Sequence, residues 1–127
     1  MLKVTDLTVH YGAIQALRGI SFDVNEGEII TLIGSNGAGK TTTLHSVSNI
    51  IKKASEMGDL RLTANKVEFE NVDITNVSPD AIVKTGLIQV PEGRRVFANM
   101  SVKENLEMGA YTRKDKAGIK ADMEKVY

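Results

Sequence analysis

Apolar and polar residues alternate at Leu2 and Val4, again at Leu7 and Val9, and cleanly through Ile20-Ser21-Phe22-Asp23-Val24. A period of two puts every second side chain on one face, so both stretches are expected to be half-buried antiparallel strands. Asn25-Glu26-Gly27 supplies a turn, after which the character changes. Glu28 to Ile33 is apolar without alternation, the pattern of a strand covered on both faces in a parallel core. A glycine-rich loop follows. Leu44, Val47, Ile50 and Ile51 then recur at helical spacing and predict a helix from Lys40 to about Ile51.

Residues 52–65 hold scattered charges and Gly58 without a period, which suits a loop or a short hairpin. Val67, Phe69 and Val72 predict one further antiparallel strand ending near Asp73. Ser78-Pro79 marks a helix start, with Ser78 as N-cap and Pro79 at the first position, and Gly86 is placed to close that helix. Leu87-Ile88-Gln89-Val90 is a short buried strand stopped by Pro91. Ser101-Val102-Lys103-Glu104 is a capping box that opens a helix through about Tyr111, and Lys114 to Tyr127 is a charged helical tail.

Charge changes the picture by exclusion. With 16 Lys+Arg against 16 Asp+Glu the formal net charge is zero, so no nucleic-acid partner is expected through a broad basic surface. The 127 residues suffice for one globular domain, and the absence of cysteine removes disulfides and thiolate metal sites. The N-terminus has no leader pattern, and no apolar run approaches the roughly 20 residues that cross a bilayer. A cytoplasmic location is expected, with any membrane role passing through a partner.

The strongest chemical signal is Gly34-Ser35-Asn36-Gly37-Ala38-Gly39-Lys40-Thr41, which fits G-x-x-x-x-G-K-[ST] at every fixed position, after an apolar run and before a helix. Glycines let the backbone curl around phosphates with its N–H groups inward, where Cβ atoms would spoil the fit. The helix start adds unpaired N–H groups and the positive end of its dipole. Ser35 to Thr42 are therefore the candidate phosphate-binding residues, with Lys40 for the β- and γ-phosphates, Thr41 as a Mg²⁺ ligand and Thr42 as a further donor. A P-loop by itself leaves kinase, GTPase and ATPase chemistry open.

The flanking residues resemble the ATP-binding subunit of ABC transporters. His10-Tyr11-Gly12, Ala16-Leu17-Arg18-Gly19-Ile20-Ser21-Phe22 and Glu26-Gly27-Glu28 look like that family's opening. Val90-Pro91-Glu92-Gly93-Arg94-Arg95-Val96-Phe97, followed by Ser101-Val102-Lys103-Glu104-Asn105-Leu106, looks like its branched-chain amino-acid importer subgroup, the LivF type. The resemblance implies an α/β fold: half of a P-loop NTPase (RecA-like) core, with an N-terminal antiparallel β subdomain and the start of a helical subdomain. On that reading the antiparallel strands occupy about 1–27 and 66–74, the P-loop core about 28–52 and 78–91, and a coupling loop with the first helical-subdomain residues about 92–127.

Carried over by position, the resemblance implies ATP and Mg²⁺ as cofactors and Tyr11 as the aromatic that stacks on adenine. Glu92 stands where most of the family has Gln and becomes the candidate contact to Mg²⁺ or the attacking water. The competing view of Glu92 is a solvated loop charge paired with Arg94 or Arg95. Membrane-spanning transporter subunits are implied as partners through Pro91 to Tyr111, with Phe97 and Met100 as apolar anchors, and a second ATP-binding subunit is implied in the full-length protein. The location implied is peripheral, on the inner face of the cell membrane.

Three features of the family are not found: a Leu-Ser-Gly-Gly signature, an apolar strand ending in Asp-Glu, and a switch His. The expectation is therefore an incomplete domain, the N-terminal half of a transport ATPase, without turnover of its own. A non-catalytic nucleotide-binding module and a small P-loop kinase are the alternatives. His10 and His45 lie in no ligand or base pattern.

Overall fold

In a computed structural model describing residues 1–51, 60–63, 66–93 and 95–127, the alternating stretches form two long antiparallel strands, β1 (Leu2–Tyr11) and β2 (Ile14–Val24). Their pairing explains why the apolar period slips from Val4 to Leu7. Val4 faces Phe22 and Leu7 faces Ile20, so β1 takes three steps where β2 takes two. The extra residue is accommodated by a bulge in which Asp6 adopts a left-handed backbone, φ 49°. Val4, Leu7 and Val9 consequently all face inward and are fully buried.

The other edge of β1 is shared. Leu2–Thr5 pairs with β4 (Lys66–Phe69) and Thr8–Tyr11 with β3 (Leu60–Thr63), while β5 (Val72–Asp73) extends the sheet beyond β4. The core gathers Val4, Leu7, Val9, Leu17 and Val67 from the sheet with Ile74 and two helical residues, Val47 and Ile82. These come from α1 (Lys40–Val47) and α2 (Pro79–Lys84).

Several elements differ from expectation. Val67 to Asp73 is a hairpin rather than one strand: Glu70 and Asn71 have φ 49° and 62°, the doubly left-handed turn that matches strand twist. The helix from Lys40 stops at Val47 because Asn49 turns left-handed, φ 54°, before residues 50–51 resume helical geometry. Residues 60–63 are a strand; 52–59 and 64–65, where a loop or hairpin was expected, lie outside the described residues.

The two apolar runs assigned to a parallel core form no ladder. Glu28 to Ile33 lies outside the sheet with Ile29 97% and Ile33 93% exposed, and in Leu87 to Val90 both Ile88 and Val90 are exposed. A strand is defined by its neighbour, and among the described residues neither run has one.

Helix α2 starts at Pro79 as expected and Gly86 follows it at φ 98°. Ser78 holds the N-cap position, but its side chain makes no cap bond; it interacts instead with Asp80, holding that carboxyl below its usual range. Residues Met1–Gln89 form one compact unit and Val90–Tyr127 a second. The second contains α3 (Val102–Gly109) and α4 (Lys116–Val126). The capping box is complete: the Glu104 amide donates to Ser101 Oγ at 3.3 Å and the Ser101 amide to Glu104 Oε2 at 2.7 Å. Arg113 bonds Asp115 before α4 and Asp122 within it, both at 2.6 Å. Among the described residues, no helix is long and apolar enough to cross a membrane.

Candidate phosphate-binding site

The loop from Gly34 to Lys40 owes its shape to glycines that serve different ends. Gly37 and Gly39 have φ 85° and 88°, a conformation that costs side-chain-bearing residues energy. Gly39 is also sterically confined: a Cβ there would lie 2.5 Å from Leu17 Cδ2 and 3.1 Å from the Ala16 carbonyl. At Gly34 a Cβ would approach that of Ala38 to 2.9 Å, so the two ends of the loop close on each other. The Ala38 amide donates to the Ser35 carbonyl at 3.1 Å and completes the turn.

The sheet supplies the shelf against which this loop rests. Val9 pairs with Leu17 and His10 with Gln15, which leaves Ala16 as an extra residue of β2 opposite β1. This bulge brings the Ala16 carbonyl up to Gly39. Tyr11 follows Val9 by two positions, so strand alternation puts it on the face that carries Val9 and Leu17. Tyr11 is 44% exposed.

Lys40 opens α1 and turns back over the loop, donating from Nζ to the Gly34 carbonyl at 2.7 Å and the Ser35 carbonyl at 2.8 Å. An ammonium has three donors, so two are engaged by the loop's own oxygens. Lys40, Thr41 and Thr42 occupy the first turn, where a helix cannot satisfy its own N–H groups. Thr41 is exposed and Thr42 half-buried. Thr43 is buried, and its hydroxyl donates to the Gly39 carbonyl at 2.9 Å, which fastens the loop to the helix behind it.

The far end of α1 is pinned as well. Asn49 Nδ2 donates to the Ile74 and Val77 carbonyls, both at 2.9 Å, and Ser48 Oγ lies 2.6 Å from Gln89 Oε1. The pattern of residues assigned no role at this site to Ala16, Ser48, Asn49 or Gln89. Only Asn49 carried a signal, since Asn beside Gly is the residue that tolerates a left-handed helix end.

Ser35 to Thr42 and Tyr11 thus belong to one compact unit, whereas Glu92 belongs to the other. Glu92 is exposed, and Arg95 donates from Nε to its backbone carbonyl at 3.1 Å. Arg94 lies outside the described residues. No group of three or more His, Cys, Asp or Glu that could hold a metal occurs among the described residues.

The chain is 36% identical over 126 residues to the high-affinity branched-chain amino acid transport ATP-binding protein BraG of Pseudomonas aeruginosa, covering 99% of this chain and 50% of that protein. It is 31% identical over 112 residues to the probable branched-chain amino acid transport ATP-binding protein LivF of Archaeoglobus fulgidus, covering 88% of this chain and 44% of the relative. The chain therefore spans half or less of the length of these relatives. In fold it resembles the crystal structure of a nucleotide-free ATP-binding cassette from an ABC transporter, with a TM-score of 0.60 and 24% identity over 97% of this chain and 51% of the other. The profile described as ABC transporter matches residues 17–127, and the chain belongs to that family.

Proposed function

We propose that the chain is the ATP-binding part of an ABC importer for branched-chain amino acids, holding Mg-ATP between Gly34 and Thr42 to power uptake. The observation that carries this reading is the loop itself: left-handed glycines at 37 and 39, a helix N-terminus behind them, and the Lys40 ammonium held on the loop's carbonyls. The cradle fits phosphate: nothing lies within 4 Å of where a Cβ at Gly37 would stand, and α1 begins three residues on with N–H groups it cannot satisfy itself. Bound Mg-ATP supplies the phosphoryl-transfer free energy that transport consumes.

On this reading Lys40 exchanges its carbonyl partners for phosphate oxygens, Thr41 contributes a hydroxyl to Mg²⁺, and Tyr11 stacks on the adenine. Glu92 is assigned to Mg²⁺ or the attacking water. The partners are membrane-spanning subunits, met through Pro91 to Tyr111, and a second ATP-binding subunit; the location is the inner face of the cell membrane. Support for the docking role lies in the loop before α3, where Val96, Phe97 and Met100 are exposed. Asn105 holds that loop in shape, accepting from the Phe97 amide at 2.8 Å and donating to the Phe97 and Ser101 carbonyls at 3.1 and 3.0 Å. Family membership sets the small-kinase alternative aside.

Calorimetry with Mg-ATP tests the site. Lys40→Ala removes charge-assisted bonds to phosphate and is expected to weaken binding by about 1.5–3 kcal/mol. Equal affinity in two folded proteins would remove Lys40 from the site and this reading with it.

A further inference from the structure

The end of α1 remote from the phosphate loop offers one hydroxyl several acceptors. Ser48 is buried, and its Oγ lies 2.6 Å from Gln89 Oε1, 3.1 Å from the Leu44 carbonyl and 3.2 Å from the His45 carbonyl. A hydroxyl has one proton, so it serves one of these three acceptors at a time. Two arrangements are open to the same heavy atoms. In one, Ser48 donates to Gln89. In the other, Ser48 donates to a helix carbonyl and accepts from the Gln89 amide after that amide rotates by half a turn.

Asn49, next in the chain, has no such freedom. It is 3% exposed, left-handed, and its amide protons are aimed at the Ile74 and Val77 carbonyls. Asn49 is the fixed point of the corner and Ser48 the adjustable one. Gln89, in turn, sits in the run 87–90 that has no ladder partner among the described residues. Its side chain ties that run to α1 across 41 positions of sequence.

We infer that Gln89 is a positioning residue, and that the Ser48–Gln89 bond links occupancy of the phosphate loop at one end of α1 to the freedom of residues 87–90 at the other. The inference rests on the reading of Gly34 to Thr42 as the ATP site. An eight-residue helix is about 12 Å long and moves as a rod. Phosphate that draws Lys40 off the Gly34 and Ser35 carbonyls changes the restraint on the first turn of α1. The rod carries that change to Ser48, whose proton has a second acceptor ready. This is a two-state element of the kind that coupling between sites requires.

Hydrogen exchange of the 127-residue chain, with and without Mg-ATP, measures the link directly, alongside calorimetric titration of ATP into the same samples. In the unsubstituted chain, nucleotide is expected to alter exchange at residues 87–90. Ser48→Ala and Gln89→Met, which break the bond from opposite sides, are expected to bind ATP and lose that response, and Ser48→Thr to keep it. A merely structural bond would instead lower the melting temperature and leave the response intact. ATP binding with no response at 87–90, or the same response in both bond-breaking variants, overturns the inference while the ATP site stands. An unsubstituted chain that binds no ATP overturns both.

Discussion

The two compact units of this chain are held together in opposite ways. Met1–Gln89 is organised around residues with almost no exposure, Leu7, Val9 and Ile82 at 0% among them. The helices of Val90–Tyr127 bury no residue at all. What shapes them is polar: the Ser101–Glu104 capping box, the Asn105 clamp on the preceding loop, and Arg113 bridging Asp115 and Asp122. Burial is cooperative and offers no charge to titrate or screen, whereas caps and exposed ion pairs are local and follow pH and salt. The first unit can hold a loop with left-handed glycines against a sheet bulge because its core over-determines the shape. The second can change shape at small energetic cost.

The sharpest way to break this comparison is to remove apolar atoms from each unit. Leu7→Ala leaves a cavity beneath the sheet and is expected to cost about 2–5 kcal/mol. Met123→Ala, in the apolar groove that Leu106, Ile119 and Val126 also line beside α3 and α4, is expected to cost about 1 kcal/mol or less. Chemical denaturation followed at probes in each unit measures both. Comparable losses would mean that the second unit has a core of its own and that the contrast is false.

A smaller effect sharpens the link between the core and the phosphate loop. Gly39→Ala combines a left-handed backbone with a Cβ 2.5 Å from Leu17 Cδ2, so either the loop or Leu17 must move. The expected loss of stability is about 1–3 kcal/mol, with ATP affinity falling as well because the loop is displaced from its shelf. Gly37→Ala has the same backbone strain but open space around its Cβ, and is expected to harm less. Equal effects on melting and on ATP titration would show that the contact with Leu17 is not what fixes the loop.

The residues that revealed themselves in sequence are those whose structure is decided locally. Alternation located β1 and the second half of β2, the glycines with Lys40 and Thr41 located the phosphate loop, and Ser101 to Glu104 located a capping box that the structure completes. Glu28 to Ile33 and Leu87 to Val90 were legible only as apolar runs. Such a run states that it suits cover without naming what covers it, and pairing depends on a strand elsewhere. The hairpin at Glu70-Asn71 was hidden because Glu is a poor signature for a left-handed turn. Ser48 and Gln89 could not be connected at all, since nothing in either residue's neighbourhood points to a partner 41 positions away.

The smallest effect comes from acid, and it separates the units without any substitution. Glu104 is held below the usual glutamate range by the Ser101 hydroxyl, then by the Ser101 amide; Asp115 is held low by Arg113, and Asp122 by Arg113 and then Lys125. A carboxyl whose folded value is depressed binds fewer protons folded than unfolded. Its contribution to stability is therefore complete above the unfolded value, near 4, and is lost as pH falls through the lower folded value. Protonated Glu104 no longer answers the Ser101 amide as a charged acceptor, and protonated aspartates release Arg113. In the first unit Asp73 and Asp80 are also held low, by Thr75 and Ser78, but the residues that organise that unit are apolar and do not titrate. Amide shifts followed downward from neutral pH are expected to show residues 102–126 losing helical character while β1 and β2 remain paired. Added salt is expected to weaken the Arg113 pairs ahead of the capping box, which is a hydrogen-bonded contact rather than a charge pair. If β1 and the helices of the second unit lose their structure together at one pH, the helices draw their stability from the first unit, and the difference between burial and capping does not govern this molecule.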